Sequence, residues 1–174
     1  HYVRINRIDD LKLSEEERLL VVKHRWDQSE NIEVKARCND VLCKYETDRR
    51  KRIITASENY LLAYKKYKKI GFLYRAIAIR DFKQVNNEQF LQDIIETIKG
   101  GFEYPLWIKD IVEKLQESYS NEALKDLALY IKTEKEKLRN ESKFREEREY
   151  IIAQYSLKSI TEYQYHKELA LSYE

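Results

Sequence analysis

The sequence predicts an all-α fold, and three observations support this prediction. The 174 residues include only three glycines and one proline, whereas average usage would give roughly a dozen and nine. Apolar residues recur at intervals of three and four along most of the chain, and capping residues precede several of these stretches. Strict alternation of apolar and polar residues is confined to Tyr2–Ile5, which is too short to build a sheet.

Four helices are expected in the first half of the chain. Ser14 and Glu17 form a capping box for the first helix, and Asn31 begins the second. Thr47-Asp48 is expected to cap the third helix, and Gly71 is expected to end it. The apolar stripe of the third helix consists of Ile53, Ile54, Ser57, Tyr60, Leu61, Tyr64 and Tyr67. The shorter fourth helix carries Leu73, Ala76, Ile77 and Arg80 on one side.

The strongest break in the sequence lies at Gly100–Pro105. It follows a fifth helix, Glu88–Lys99, which Asn86-Asn87 should cap. Glycine favours the end of a helix and proline the first turn of the next, so a sixth helix should start at Pro105.

The last third of the sequence indicates a long charged helix followed by a shorter terminal one. Ser120-Asn121 should cap the long helix, which either continues to Tyr155 or bends near residues 140–142. Ser159 and Glu162 are expected to form a capping box for the final helix.

The predicted architecture is an antiparallel helical array of about eight or nine helices. It would be either a bundle or a superhelical stack of helix pairs, in a single helical domain over residues 1–174 with its main internal break at residues 100–105. No fixed repeat period is visible. Because the chain begins with His1 and not with Met, it could form the N-terminal part of a longer protein.

Composition narrows the class of protein. The 33 basic and 31 acidic residues nearly balance, which argues against a disordered polyelectrolyte. No apolar run exceeds five residues, whereas a membrane-spanning helix needs about 20 and a secretory signal an apolar stretch of about 7–15. We therefore expect a cytoplasmic protein that does not bind a membrane. Two cysteines are too few for a disulfide framework.

The residues that could carry chemistry do not form a recognisable site. Cys38 and Cys43 are five residues apart, which places them about 140° apart around a helix, so they cannot chelate one ion together. Glu162 and His166 are four apart and could share a helix face, but a catalytic zinc site needs three protein ligands. Since no phosphate-binding glycine loop is present either, we expect no metal, no cofactor and no catalytic residue.

The charge distribution is the one marked asymmetry. Residues 1–87 hold 20 basic and 13 acidic residues, whereas residues 88–174 hold 13 and 18. Eleven cations lie within residues 49–83, interleaved with Tyr60, Tyr64, Tyr67 and Tyr74. The candidate anion or nucleic-acid patch consists of Arg49, Arg50, Arg52, Lys65, Lys66, Lys68, Lys69 and Arg75.

Two other interpretations of these cations compete with nucleic-acid binding. They could be a solvated helix face with the tyrosines in the core. They could also neutralise the acidic half, within the chain or between copies. The positions of Tyr60, Tyr64 and Tyr67 on the apolar stripe favour burial of these rings.

Residues 34–82 carry a pattern that is familiar from other sequences. Ala36-Arg37-x-x-Asp40-x-Leu42 is followed by Ala56-x-x-x-Tyr60-x-x-Ala63 and then by Arg75-Ala76-x-Ala78. This resembles the N-terminal helical region of a group of uncharacterised bacterial proteins, although that pattern has Trp where this chain has Cys43. The resemblance implies a helical module of a larger bacterial protein and implies no catalytic residue.

The expected function is that of a non-enzymatic helical scaffold or protein-interaction module. Its partner would be another protein or domain, or a second copy of the chain. The alternative is a helical domain that binds nucleic acid through residues 49–83. A third hypothesis, an enzyme whose site assembles between helices, would require ionisable groups that converge in a pocket.

Overall fold

The structure, a computed structural model, describes residues 12–43, 49–82 and 87–173. These residues form nine α-helices and no strand, which confirms the all-α helical array. The helices are α1 (Glu15–Asp27), α2 (Ile32–Leu42), α3 (Arg49–Tyr67), α4 (Ile70–Phe82), α5 (Glu88–Lys99), α6 (Ile108–Gln116), α7 (Lys125–Asn140), α8 (Phe144–Ser156) and α9 (Glu162–Leu171). A 3-10 turn at Pro105–Trp107 leads into α6.

Three helix starts agree with the sequence. At α1 the Glu17 N–H donates to Ser14 Oγ, and the Ser14 N–H donates to Glu17 Oε2 at 2.7 Å. This second bond is the main reason why the pKa of the Glu17 carboxyl is lowered. Asn31 and Asn87 accept backbone N–H groups at the starts of α2 and α5. The expected Thr47-Asp48 cap lies outside the described residues.

The expectation that Gly71 ends the third helix is wrong. Helix α3 ends at Tyr67, and Gly71 lies in the first turn of α4. The residue that turns the chain is Lys68, whose φ of 53° lies in the left-handed region. Ser142 and Lys158 adopt the same conformation after α7 and α8. Glycine is preferred at such positions because it has no Cβ, but the backbone bonds that close a helix end can hold other residues there.

The expectation that Ser159 and Glu162 form the capping box of the last helix is also wrong. Thr161 and Gln164 exchange the two bonds of the box at the start of α9, whereas the Ser159 hydroxyl donates to the Gln154 carbonyl at 2.8 Å. The prediction was therefore two residues too early. Pairs with suitable side chains overlap here, and Ser159 belongs to the end of α8, since its N–H and its hydroxyl both donate to the Gln154 carbonyl.

The long helix of the second half is interrupted, as one of the two alternatives proposed. It starts at Lys125, later than Ser120-Asn121 suggested, because residues 121–124 form a turn. It ends at Asn140, and α8 begins at Phe144. The predicted bend near residues 140–142 is confirmed by this gap between α7 and α8.

The chain divides into two compact units, residues 1–85 and 86–174. The boundary differs from the predicted main break at residues 100–105, which lies inside the second unit and separates α5 from the 3-10 turn. The single-domain organisation over residues 1–174 stays a prediction.

In the first unit α1 packs on α2, α2 on α3, and α3 on α4. Four alanines with no exposed surface lie on the packed faces of α2, α3 and α4. Their small side chains let the helix backbones approach closely. The four are Ala36, Ala56, Ala63 and Ala76.

In the second unit α8 packs against α6, α7, α9 and the 3-10 turn, and α5 packs on α7. The hydrophobic side chains of this core are mostly branched aliphatic ones, with Phe90 and Tyr150 as buried aromatic members. Fully buried members include Ile94, Ile98, Ile108, Ile111, Val112, Leu115, Leu127, Ile131 and Ile151. Within residues 12–43, 49–82 and 87–173, no helix combines the length and the apolar character needed to cross a membrane.

Candidate interaction surfaces

A polar cluster that extends from the buried Tyr60 to the half-exposed Arg75 joins three helices of the first unit. The Arg75 guanidinium on α4 donates from Nε and Nη2 to the two carboxylate oxygens of Asp40 on α2, both at 2.8 Å. The Tyr60 hydroxyl on α3 donates to Asp40 Oδ2 at 3.0 Å. Asp40 is thus the acceptor for donors from two other helices, and the cluster fixes how α2, α3 and α4 are aligned.

The electrostatics of this cluster follow from its geometry. Burial raises the pKa of the Tyr60 hydroxyl, and the Asp40 charge and hydrogen bond raise it further. The hydrogen bond to Asp40 raises the pKa of Arg75. Both groups therefore keep their protons at neutral pH. The cluster therefore consists of a neutral phenol beside an ion pair that joins α2 and α4.

The eleven cations of residues 49–83 have different environments. Arg80 is buried on α4, where its Nε donates to Ser57 Oγ and it also pairs with Glu58. Arg52 donates to Asn39 Oδ1 at 2.8 Å and lies over the Trp26 ring. Together with Arg75, these arginines are held by groups of their own unit. Lys83 lies outside the described residues.

The remaining members of the predicted patch lie at opposite ends of α3. Arg49 and Arg50 are exposed in its first turn, and four lysines lie at and just after its last turn. The first and last of these positions on the helix, 49 and 66, are separated by about 25 Å at a rise of 1.5 Å per residue. The four lysines, which we call the lysine corner, are Lys65, Lys66, Lys68 and Lys69.

Helix α9 is attached to the second unit differently from the other helices. None of its residues is fully buried. Its N-terminal end contacts the end of α8, where the rings of Tyr165 and Tyr155 stack with centroids 4.5 Å apart. At the other end Arg148 of α8 donates to the Ser172 carbonyl and lies over the Tyr173 ring. These two contacts show that α9 runs antiparallel to α8.

A buried ion pair also holds α9. The Lys135 Nζ on α7 lies 2.5 Å from Glu168 Oε2, and the Lys135 side chain is only 6% exposed. The sequence contains a signal for this pair that the predictions above do not use. Lys135 falls between Ile131 and Leu138 in the apolar stripe of α7, where a charged residue needs a partner from another helix.

The outer side of α9 presents large apolar side chains to solvent. Tyr163 is 76% exposed, Leu171 48%, and Tyr173, just after the helix, 71%. We call these three residues the α9 surface. Tyr163 and Leu171 are eight residues apart, which places them about 80° apart around the helix, on its solvent side. Tyr155 and Phe144 of α8 are exposed as well, at the two ends of the helix that α9 covers.

The cysteines and histidines form no cluster in the part of the chain that the structure describes. Cys38 and Cys43 are both buried thiols, and they belong to separate apolar clusters of the first unit. His166 lies 3.9 Å from Glu162, and both side chains are exposed. Within residues 12–43, 49–82 and 87–173, no three His, Cys, Asp or Glu residues are placed to hold a metal ion.

An open groove of about 640 Å³ lies beside the start of α5 in the second unit. Three carboxylates, of Glu88, Glu122 and Asp126, and the ammonium of Lys125 contribute charge to its lining. Lys99 lies 3.9 Å from Asp126. The lining contains no serine, cysteine or histidine.

Comparison of the chain with protein-family models, with curated protein sequences and with solved structures gives no match in any of the three. The resemblance of residues 34–82 to a group of bacterial proteins therefore stays a prediction. Conclusions about function therefore come from the geometry of the residues and not from a related protein.

Proposed function

We propose that this chain is a non-enzymatic helical module that binds another protein through the α9 surface. The observation that carries the proposal is the exposure of Tyr163, Leu171 and Tyr173 on a helix that contributes no buried side chain to its own unit. Exposed apolar surface is typical of interaction sites, and Tyr163 and Leu171 lie on the solvent side of α9, about 12 Å apart along its axis. Tyrosine in particular is enriched at protein interfaces, because its ring is apolar and its hydroxyl can be hydrogen-bonded.

The attachment of α9 supports the same function. The Lys135–Glu168 ion pair, the Tyr155–Tyr165 stack and the bond from Arg148 to the Ser172 carbonyl hold the inner side of α9. Arg148 also lies against one face of the Tyr173 ring, whose other face is open to solvent. The exposed residues therefore stand on a helix whose orientation is already set. A rigid, pre-oriented surface loses less conformational entropy on binding than a flexible one does.

Site-specific photocrosslinking in the cells that produce this protein tests the proposal. A photoreactive phenylalanine analogue is placed at Tyr163, and in a matched control at Leu129, which is 66% exposed on α7. Discrete adducts with one protein are expected from position 163 and not from position 129. Adducts that are absent from both positions, or equal at both, would contradict the proposal.

A variant of the surface completes the test. The triple substitution Tyr163→Ser, Leu171→Ser and Tyr173→Ser should abolish the association without changing the helix content measured by circular dichroism. The control Leu20→Ser with Leu129→Ser removes two residues that are each 66% exposed elsewhere in the chain. It should leave the association intact. Sedimentation velocity of the purified chain shows whether the partner is a second copy.

A further inference from the structure

The lysine corner concentrates positive charge at the connection between α3 and α4. Lys65 and Lys66 lie in the last turn of α3, and Lys68 and Lys69 form the link to α4. Lys68 adopts a left-handed conformation, with its N–H donating to the Tyr64 carbonyl at 2.8 Å. The turn therefore has a defined geometry, and four of five consecutive residues carry an ammonium group.

Lys65, Lys66 and Lys69 are exposed, Lys68 is half-buried, and three of the four ammonium groups lie beside aromatic rings. Among the described residues, Lys65, Lys66 and Lys69 make no ion pair with a carboxylate. The Nζ atoms of Lys66, Lys68 and Lys69 lie 5.3 to 5.8 Å from the centroids of Tyr67, Tyr64 and Phe72. Such contacts are weakly attractive at exposed sites. They therefore favour side-chain conformations in which these ammonium groups stay close to the connection between α3 and α4.

Stabilisation of the helix end explains only part of this cluster. Cations in the last turn of a helix interact favourably with its C-terminal carbonyl groups, which accounts for Lys65 and Lys66. Lys68 and Lys69 lie after the helix end, next to the start of α4. The N-terminal end of a helix carries partial positive charge, and the first turn of α4 contains no acidic residue. These two lysines therefore add to a positive field.

The exposed face of α4 beside the corner carries an aromatic ring. Gly71 is exposed, and a Cβ at this position would contact nothing within 4 Å. Tyr74, three residues further along the same face, is 40% exposed. Asp40, the carboxylate that approaches this face from α2, is neutralised by Arg75 through two hydrogen bonds. The surface thus combines four cations, an open backbone position and an accessible ring.

We propose that the lysine corner binds single-stranded nucleic acid, with phosphates on the four lysines and a base stacked on Tyr74. Proteins that bind single strands pair cations that follow the backbone with aromatic side chains that stack on bases. A membrane-binding surface would instead present tryptophan, phenylalanine or leucine. Among the side chains that the structure describes near the corner, Leu62 is the one exposed residue of that class. This function is independent of protein binding through α9, since it uses residues of the other unit.

Fluorescence anisotropy with a labelled oligothymidylate and the full chain tests the proposal. If all four lysines contact phosphates, the logarithm of affinity should fall against the logarithm of salt concentration with a slope of about −3. The variant Lys65→Gln, Lys66→Gln, Lys68→Gln and Lys69→Gln should lose binding. The matched control Lys125→Gln, Lys132→Gln, Lys137→Gln and Lys167→Gln removes four exposed lysines of the second unit and should bind like the unmodified chain.

Substitution of Tyr74 distinguishes nucleic-acid binding from a general attraction to polyanions. Tyr74→Ala should weaken binding about tenfold without changing the salt slope, because stacking does not involve counterion release. Tyr74→Phe should restore it. Equal affinity for polyglutamate or for phosphatidylserine vesicles, indifference to Tyr74→Ala, or equal loss in both lysine variants would each overturn the proposal.

Discussion

Arg75 and Asp40 lie 35 residues apart in the sequence and share two parallel hydrogen bonds of 2.8 Å in the folded first unit. The same carboxylate accepts the hydroxyl of Tyr60, a residue that is 5% exposed. One acidic side chain on α2 is therefore the common acceptor for α3 and α4. The stability of the first unit should depend on Asp40 more than on either of its donors.

Substitution of this cluster tests that dependence. Arg75→Ala should lower the free energy of unfolding by about 1 kcal/mol, because the arginine is half exposed and solvent screens the pair. Asp40→Ala should cost about 2 kcal/mol, since it also leaves the buried Tyr60 hydroxyl without its acceptor. Urea unfolding followed by Trp26 fluorescence, in a Trp107→Phe background, measures both.

The matched control for this prediction is Arg37→Ala. Arg37 makes a salt bridge with Glu33, four residues earlier on the surface of α2. Loss of such a pair should cost less than about 0.5 kcal/mol. If Asp40→Ala were no more harmful than Arg37→Ala, the cluster would have no role in joining the helices.

Because the thiol of Cys38 is buried, the stability of the first unit is expected to depend on pH in the alkaline range. Burial is the main reason why the pKa of this thiol is raised to about 11, with Arg25 opposing the shift. Because the folded-state pKa is the higher one, the neutral thiol stabilises the fold fully below the unfolded-state pKa of about 8.5. This stabilisation is lost as the pH rises through about 11.

Thiolate absorbance in a Cys43→Ala variant measures this titration directly. Cys38 should titrate near pH 11 in the folded chain, and near the ordinary cysteine value of about 8.5 in urea. It should also react slowly with iodoacetamide at pH 8 until the chain unfolds. A normal titration in the folded state would show that the thiol is accessible to water.

The ion pair between α7 and α9 predicts an asymmetric response to substitution. Glu168→Gln should destabilise the second unit by about 2 kcal/mol, because it leaves the buried Lys135 ammonium without its counter-charge. The double substitution Lys135→Met with Glu168→Met should recover most of that loss, since apolar side chains suit the surroundings of Lys135. Urea unfolding followed by Trp107 fluorescence, in a Trp26→Phe background, provides the measurement. Equal instability of the single and double variants would be incompatible with this account.

The hydroxyl groups of Thr161 and Ser159 are expected to differ in how much they stabilise the first turn of α9. Thr161→Ala should speed hydrogen exchange at the amides of Gln164 and Tyr165, because the side chain that accepts the Gln164 N–H is removed. Thr161→Ser should preserve protection. Ser159→Ala, which removes a hydroxyl bonded to the end of α8, should leave these amides unchanged. The reverse order would favour the cap assigned from the sequence.

Much of the fold could be predicted from local patterns. The capping box at Ser14 and Glu17, the cap at Asn87 and the bend near residues 140–142 depend on groups within one helical turn. The end of α3 could not be predicted in the same way. Its left-handed residue is Lys68 and not Gly71, because backbone hydrogen bonds held by the packed helices offset the steric cost of the side chain.

The same distinction between local sequence patterns and tertiary packing applies to the candidate sites. The sequence alone determined that the chain is helical, that its first half is basic, and that lysines cluster at positions 65–69. Tertiary structure decided that Arg52, Arg75 and Arg80 bond to groups of other helices in the first unit. It also decided that Tyr74, Tyr163 and Tyr173 face solvent. Periodicity assigns a residue to one side of its own helix. Which helix covers that side, and which distant charge meets it there, depends on packing between segments far apart in the chain.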